Sequence, residues 1–371
     1  MKNLLCVAIM VKNEAGRIER TLSSVIDFVD HVVVLDTGST DNTIEVIKNY
    51  CHMKKKPLKL KELAFVDFSY NRNYLLKMCH TLTKFILLMD ANEECRNMEA
   101  LIHFLKRAND ARKDIVFNCR YDLRNDSGVT GNDQTFYKIC VIRNDVPELH
   151  YEFPVHEYII CDDISKFELN NDLLNTGFHM YQDRKLDKPS TDRFPKDIAM
   201  LLKYIEKHGE NLRAYRYLVQ SYRNIHDYPN AIIYCDKLIN YCEKHLPITS
   251  KYFDEYYAAL LGKGYSYGSI GNEDFYKWML KAYQYSKLLY DNAEPFVITG
   301  QLYVKFNLLK LAHAYFKKAC AIPIPPNNLT DCVINYQLYH KVRWECLAKC
   351  AYDVNELGDH YKALEMLGQC K

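Results

Sequence analysis

Val32-Val33-Val34-Leu35-Asp36-Thr37-Gly38-Ser39-Thr40-Asp41 is the stretch from which the fold can be read. Four apolar residues in succession, three of them β-branched, are too short a run for a helix and suit a strand buried on both faces. The run stops on a carboxylate, and small residues then lead into the helical pattern of residues 40–50. A carboxylate at the carboxyl end of such a strand stands where open α/β sheets bind ligands. Asp36 there can accept hydrogen bonds from a nucleotide base or ribose, while the small residues permit close approach of the backbone. The same residues also fit a plain β-to-α turn with Ser39 or Thr40 as helix N-cap, and this segment alone leaves both readings open.

The surrounding pattern repeats the theme. Apolar strand runs at 4–9, 58–65, 85–89, 115–119 and 138–142 alternate with helical periodicity at 14–29, 69–79 and 98–109. That alternation predicts a mostly parallel sheet covered by helices. From about Pro195 the strand signal stops and helical spacing takes over. Tyr215, Leu218, Val219, Tyr222, Ala231 and Cys235 recur in spacing at Phe296, Thr299, Gly300, Tyr303, Ala312 and Phe316, and again from Leu347 to Leu367. This is the interlocking large-and-small pattern of tetratricopeptide (TPR) helical hairpins. Ala258, Leu261, Gly262 and Tyr265 fit a further first helix, but Phe275 falls where its partner needs a small residue, so that unit reads as degenerate. Units start farther apart than the usual ~34 residues, which assigns insertions to turns or helices. The expected division is 1–190 and 191–371, with a linker helix at about 191–210.

Composition removes several function classes. With 371 residues, two domains are the natural expectation. Lys plus Arg number 49 against 47 Asp plus Glu, so no bulk positive charge argues for nucleic acid or a polybasic membrane adhesin. No apolar stretch reaches the ~18 residues of a membrane span, and the opening run reads as a buried strand rather than a signal peptide. The 14 cysteines contain no C-x-x-C pair, which fits reduced thiols and a cytoplasmic location. Neither a P-loop nor a G-x-G-x-x-G motif occurs.

Two further strand ends carry chemistry. Val11-Lys12-Asn13-Glu14 closes the first strand, so Asn13 and Glu14 are expected at the crevice edge, although Asn13 also suits a helix cap. Phe85-Ile86-Leu87-Leu88-Met89 ends abruptly in Asp90-Ala91-Asn92-Glu93-Glu94. Hard oxygen ligands at a strand end suit Mg²⁺ or Mn²⁺ bridging a diphosphate. A solvated acidic turn is the plainer alternative.

Met10-Val11-Lys12-Asn13-Glu14, the 34–43 segment, Asp67-Phe68-Ser69-Tyr70-Asn71-Arg72-Asn73 and Leu88-Met89-Asp90-Ala91-Asn92-Glu93 together resemble the ordered motifs of family 2 glycosyltransferases. Within that family they are most similar to the branch with C-terminal TPR repeats, which includes the sublancin S-glycosyltransferase group. The resemblance implies a Rossmann-like α/β GT-A domain followed by all-α TPR-like repeats. It implies that Val11, Asn13, Glu14 and Asp36 hold the nucleoside and that Arg72 approaches the diphosphate. Asp90 and Asn92 fall on the D-x-D motif for metal and phosphates, with an amide replacing the second acid and Glu93 as a supplementary ligand.

Pro154-Val155-His156-Glu157 resembles the V-H-E segment of the branch, and Phe178-His179-Met180-Tyr181 its H-x-G-Y segment with Met180 for glycine. These imply Glu157, with His156 beside it, as the catalytic base, Asp122 or Asp126 as replacements, and His179 as a metal ligand. The expected reaction is metal-assisted, inverting transfer from a UDP-sugar to a protein, peptide or glycan acceptor, with homodimerisation through the repeats possible. The rival expectation is a non-catalytic TPR scaffold with a relict nucleotide-binding domain, kept open by Asn92. A nucleotidyltransferase ranks lower because residues 7–16 contain only Gly16 where a Gly-rich loop is required.

Overall fold

The computed structural model describes residues 3–108, 116–124, 134–163, 165, 168–183, 193–245, 253–288, 290–325 and 338–369. The chain divides into two compact units, Met1–Ser190 and Thr191–Lys371. Among the described residues no helix is long and apolar enough to cross a membrane.

In the first unit β1 (Asn3–Val11) lies between β2 (His31–Asp36) and β4 (Thr83–Asp90), parallel to both. The register sets Val11 opposite Asp36 and Met10 opposite Asp90, so the motif-bearing strand ends share one edge. β3 (Leu58–Glu62) extends the parallel set beyond β2. On the other side β7 (Gln134–Arg143) runs antiparallel to β4 and to β6 (Val116–Arg124). β11 (His179–Asp183) then pairs with β6 in parallel and with β5 (Glu93–Arg96) in antiparallel fashion. β5 follows β4 after only Ala91 and Asn92, yet bonds to β11, on the far side of β7 and β6. A short β10 (Leu169–Asn170) joins β6, and β8 (Leu149–Glu152) with β9 (Tyr158–Cys161) forms a separate hairpin.

Strand alternation divides the core into two layers. Leu5, Val7 and Ile9 pack with Ile18, Leu22 and Leu101 beneath α1 (Ile18–Ser23), α2 (Thr43–Met53) and α4 (Met98–Ala108). Cys6, Ala8, Val33 and Leu35 pack on Leu75 and Met78 of α3 (Phe68–Cys79). Each fully buried aliphatic side chain contributes about 1.5–3 kcal/mol. The helix expected over 14–29 is only six residues long, α1. Ser23 and Ser24 turn their hydroxyls onto the carbonyls of Arg20 and Thr21, offering the backbone an alternative to helix, while Val25, Ile26 and Val29 remain buried.

Among the described residues the second unit holds α5 (Arg193–His208) and then four helical hairpins: α6–α7 (Leu212–Asn224, Tyr228–His245), α8–α9 (Phe253–Ser269, Phe275–Ser286), α10–α11 (Glu294–Lys305, Leu309–Ala321) and α12–α13 (Arg343–Asp353, Leu357–Gln369). The expected GT-A-like α/β domain followed by TPR-like paired helices is therefore the architecture found. Small residues let the paired helices close. A Cβ at Gly300 would stand 2.5 Å from the Phe316 ring.

The four hairpin turns share one device. His226, Gly271, Asn307 and Asn355 are left-handed, with φ of 61°, 77°, 58° and 62°. The next N–H then returns to the carbonyl five residues back: Asp227 to Tyr222, Asn272 to Tyr267, Leu308 to Tyr303 and Glu356 to Ala351. This is the Schellman closure, which satisfies carbonyls left open at a helix end. The α8–α9 hairpin, degenerate by sequence, closes in the same way. Phe275 fits because its buried ring packs edge-on against Tyr303, with centroids 5.4 Å apart.

Candidate functional site

The site assembles at the carboxyl edge of β1, β2 and β4. Asp36 is 1% exposed, and its Oδ1 accepts the N–H groups of Gly38 and Ser39 at 2.9 and 2.8 Å. Gly38 has φ 103°, a conformation that favours glycine and lets the loop fold back on the carboxylate. The second oxygen, Oδ2, is buried with no hydrogen-bond partner among the described atoms. Buried acceptors are ordinarily satisfied, so this oxygen marks a place for an incoming donor group.

The first-strand motif packs against the loop that follows Asp36. Val11 buries its side chain in the core and accepts Thr37 N–H and Oγ1–H on its carbonyl at 2.9 and 3.1 Å. Asn13, left-handed at φ 57°, accepts Thr40 N–H on Oδ1 at 2.7 Å and donates its own N–H to Ser39 Oγ at 2.9 Å. It stitches the two strand-end loops together rather than capping α1. Glu14 donates its N–H to Thr43 Oγ1 at 2.7 Å and pairs with Arg17 at 2.8 Å. These residues shape the rim around Asp36.

α3 supplies the next layer. Asp67 caps the helix, accepting Tyr70 N–H at 2.7 Å, which sets the angle at which Arg72 and Asn73 leave it. Arg72, 14% exposed, donates Nη2–H to Asp90 Oδ1 at 2.7 Å and Nε–H to Glu157. Asn73 grips the Tyr151 backbone on both sides, Nδ2 to its carbonyl at 2.8 Å and Oδ1 from its N–H at 2.7 Å. Phe68 N–H donates to the Pro154 carbonyl at 3.1 Å. The β8–β9 loop is thus fastened to α3 while carrying two left-handed non-glycine residues, Phe153 (φ 83°) and His156 (φ 52°). Such conformations cost about 1–3 kcal/mol and persist where surroundings hold them. Buried Val155 anchors the loop and delivers Glu157 onto Arg72.

Arg72, Asp90, Lys138, Tyr151, Glu157 and Tyr158 line a cleft of about 350 Å³. Crowding by protein would raise the Asp90 carboxyl, but the charges of Arg72 and then Lys138 hold it down at about 2. Burial pushes Tyr151 up to about 12. Glu93 is 2% exposed, and burial raises its carboxyl against the pull of Lys138. Its oxygens are committed inward, Oε2 to Asp90 N–H at 2.8 Å and Oε1 to Lys138.

This geometry sorts the expected ligands. The half-exposed Asp90 and Asn92 could supply two hard oxygens to Mg²⁺ or Mn²⁺, which take further oxygens from phosphates and water. Glu93 faces away from that role. His179 sits 3.7 Å from Asp122, which also accepts Arg120 Nε–H at 2.8 Å, and neither lines the Asp90 cleft. β7 separates the Asp122 strand, β6, from β4, and both β7 and β6 separate the His179 strand, β11, from it. Asp126 lies outside the described residues. Among those residues no group of three or more His, Cys, Asp and Glu side chains is arranged to hold a metal. Lys138, Asn73 and Tyr151 were not singled out from sequence. A charged residue heading the apolar run 138–142 was the available signal for the first.

The chain is similar to several known proteins. The SPbeta prophage-derived glycosyltransferase SunS of Bacillus subtilis is 36% identical over 84 residues, covering 23% of this chain and 19% of SunS. An uncharacterized glycosyltransferase of Rickettsia felis is 34% identical over 86 residues, covering 23% of this chain and 28% of that protein. The matched segments therefore span less than a third of either relative's length. Among solved structures, S. aureus TarS 1–349 in complex with UDP-GlcNAc aligns with TM-score 0.42 at 16% identity, over 75% of this chain and 92% of that one. The model of Glycosyl transferase family 2 matches residues 6–188, nearly all of the first unit, and that unit is a family 2 glycosyltransferase domain.

Proposed function

We propose that residues 1–190 transfer a hexosyl unit from a nucleotide diphosphate sugar, a UDP-sugar in the first instance, to an acceptor held with the help of the repeats at 191–371. The observation that carries this reading is the unpartnered, buried Asp36 Oδ2 on the same sheet edge as the Arg72–Asp90–Glu157 cluster. Asp36 receives an N–H or O–H of the nucleoside, within the rim built by Val11, Asn13 and Glu14. Arg72 turns to the diphosphate. Asp90 and Asn92 would hold a divalent cation, which supplies charge neutralisation to the leaving diphosphate.

Glu157, next to His156, takes the proton of the acceptor nucleophile. The nucleophile bonds to the anomeric carbon as the bond from that carbon to the diphosphate oxygen breaks, with inversion. Stacked hairpins present extended surfaces, which supports a protein or peptide acceptor.

A thermal-shift screen against UDP, GDP and CMP, each with and without Mn²⁺, tests the donor site. A Mn²⁺-dependent rise with one nucleotide, lost in Asp36→Ala, is expected. No rise with any nucleotide overturns the reading.

A further inference from the structure

Lys138 is a cation in the cleft wall for which the reaction above provides no task. It stands on β7 beside Asp90, with 26% of its side chain exposed. An ammonium so placed is costly unless it is paired. Lys138 lies 4.6 Å over the Tyr121 ring and bonds Glu93, and Tyr121 in turn donates its hydroxyl to Gln182 at 2.7 Å. The buried Glu93 spends its other oxygen on Asp90 N–H, so one carboxylate ties the Lys138 strand to the turn carrying Asp90. Arg72 reaches Asp90 from α3 and Lys138 approaches from β7, so two fixed cations of different elements flank the carboxylate at the strand end.

A diphosphate spreads its charge over two phosphoryl groups and is matched by two separated cations better than by one. Resting on the donor-site reading above, we infer that Lys138 is a donor-binding residue that forms, with Arg72, a two-point cationic clamp on the diphosphate of the nucleotide sugar. Glu93 holds the ammonium and the Asp90 turn in register, which is why it faces inward instead of joining Asn92.

The test is calorimetric titration of the full chain at fixed Mn²⁺, using whichever of UDP and GDP binds the wild type and, as control, its nucleoside. Lys138→Met is expected to weaken the diphosphate roughly tenfold or more, the range of a charge-assisted hydrogen bond, and to leave the nucleoside unaffected. Lys138→Arg should retain most of the affinity. Glu93→Gln keeps an acceptor for Asp90 N–H but turns its amide NH2 toward the ammonium, so Lys138 loses its register and diphosphate binding should weaken severalfold while the nucleoside is unaffected.

If Lys138 serves only as a strut for Glu93, Lys138→Met and Glu93→Gln will both weaken diphosphate and nucleoside alike, and the clamp is overturned. Unchanged diphosphate affinity in Lys138→Met overturns it too, leaving the donor site standing. A wild type that binds neither diphosphate nor nucleoside removes the donor site and the clamp together. Should Lys138→Met fail to fold, Glu93→Gln decides the matter: loss of diphosphate affinity with the nucleoside kept supports the clamp, and loss of both overturns it.

Discussion

Replacing Arg72 with methionine should destabilise the first unit at neutral pH, and by less as acid is added. The guanidinium is 14% exposed between Asp90 and a Glu157 that is itself 12% exposed. Methionine keeps much of the volume but leaves Glu157 without its Arg72 partner and Asp90 with Lys138 as the remaining nearby cation. The fall of the Asp90 carboxyl from 3.8 to about 2 corresponds to about 2.5 kcal/mol at ~1.36 kcal/mol per pH unit. Asp90 is 45% exposed, however, so solvent screening reduces its share to about 1 kcal/mol. Leaving the Glu157 carboxylate without its partner adds about 1–2 kcal/mol.

The expected loss is therefore about 2–3 kcal/mol at pH 7. A carboxyl whose folded pKa is depressed stabilises above its unfolded value, and that contribution disappears as pH falls from about 4 towards 2. The wild type loses it in that window, and the variant, with Lys138 as the remaining cation beside Asp90, has less to lose, so the gap should narrow by about 0.5–1 kcal/mol. Urea unfolding at pH 7, 4 and 3, read by pulse hydrogen exchange in α3 and β4 peptides, measures this. Tryptophan fluorescence would not, because Trp278 and Trp344 both lie in the helical unit. An equal loss at pH 7 and pH 3 would refute the electrostatic account of the network.

Asn73→Ala removes both hydrogen bonds to Tyr151 and should cost about 2 kcal/mol, with turnover falling through displaced Glu157 while donor KM holds, as steady-state kinetics and urea titration would show. Glu157→Gln should lower kcat by about 10²–10⁴ yet still bind the nucleotide by calorimetry. Gly300→Ala forces a methyl against the Phe316 ring and should lose about 1–3 kcal/mol by chemical denaturation, whereas Gly16→Ala, with nothing within 4 Å, should not.

The strand ends were legible because an apolar run that stops on a charge leaves few alternatives, as at Asp36 and Asp90. Side-chain direction was not legible. The cluster Asp90-Ala91-Asn92-Glu93-Glu94 looks like four hard ligands in five residues, but β5 starts inside it and turns Glu93 into the core. Likewise, spacing cannot show that His179 returns beside Asp122, since that depends on β11 inserting between β6 and β5. Asn13 was read as a ligand contact or a cap, and its actual partners lie 26 and 27 residues away in the next strand-end loop. Lys138 escaped notice because its importance is a cross-strand matter.

The common closure of the four hairpin turns bears on how the helical half comes apart. Each hairpin seals its own helix end through a bond five residues long, so it can form before it meets a neighbour. The joints differ in length: seven residues separate α7 from α8 and α9 from α10, and many more separate α11 from α12. A linear stack of locally closed pieces with unequal joints has no single seam whose rupture releases the whole. Such an array frays from its ends, one hairpin at a time, and its interior can stay folded while the outer pairs open and close.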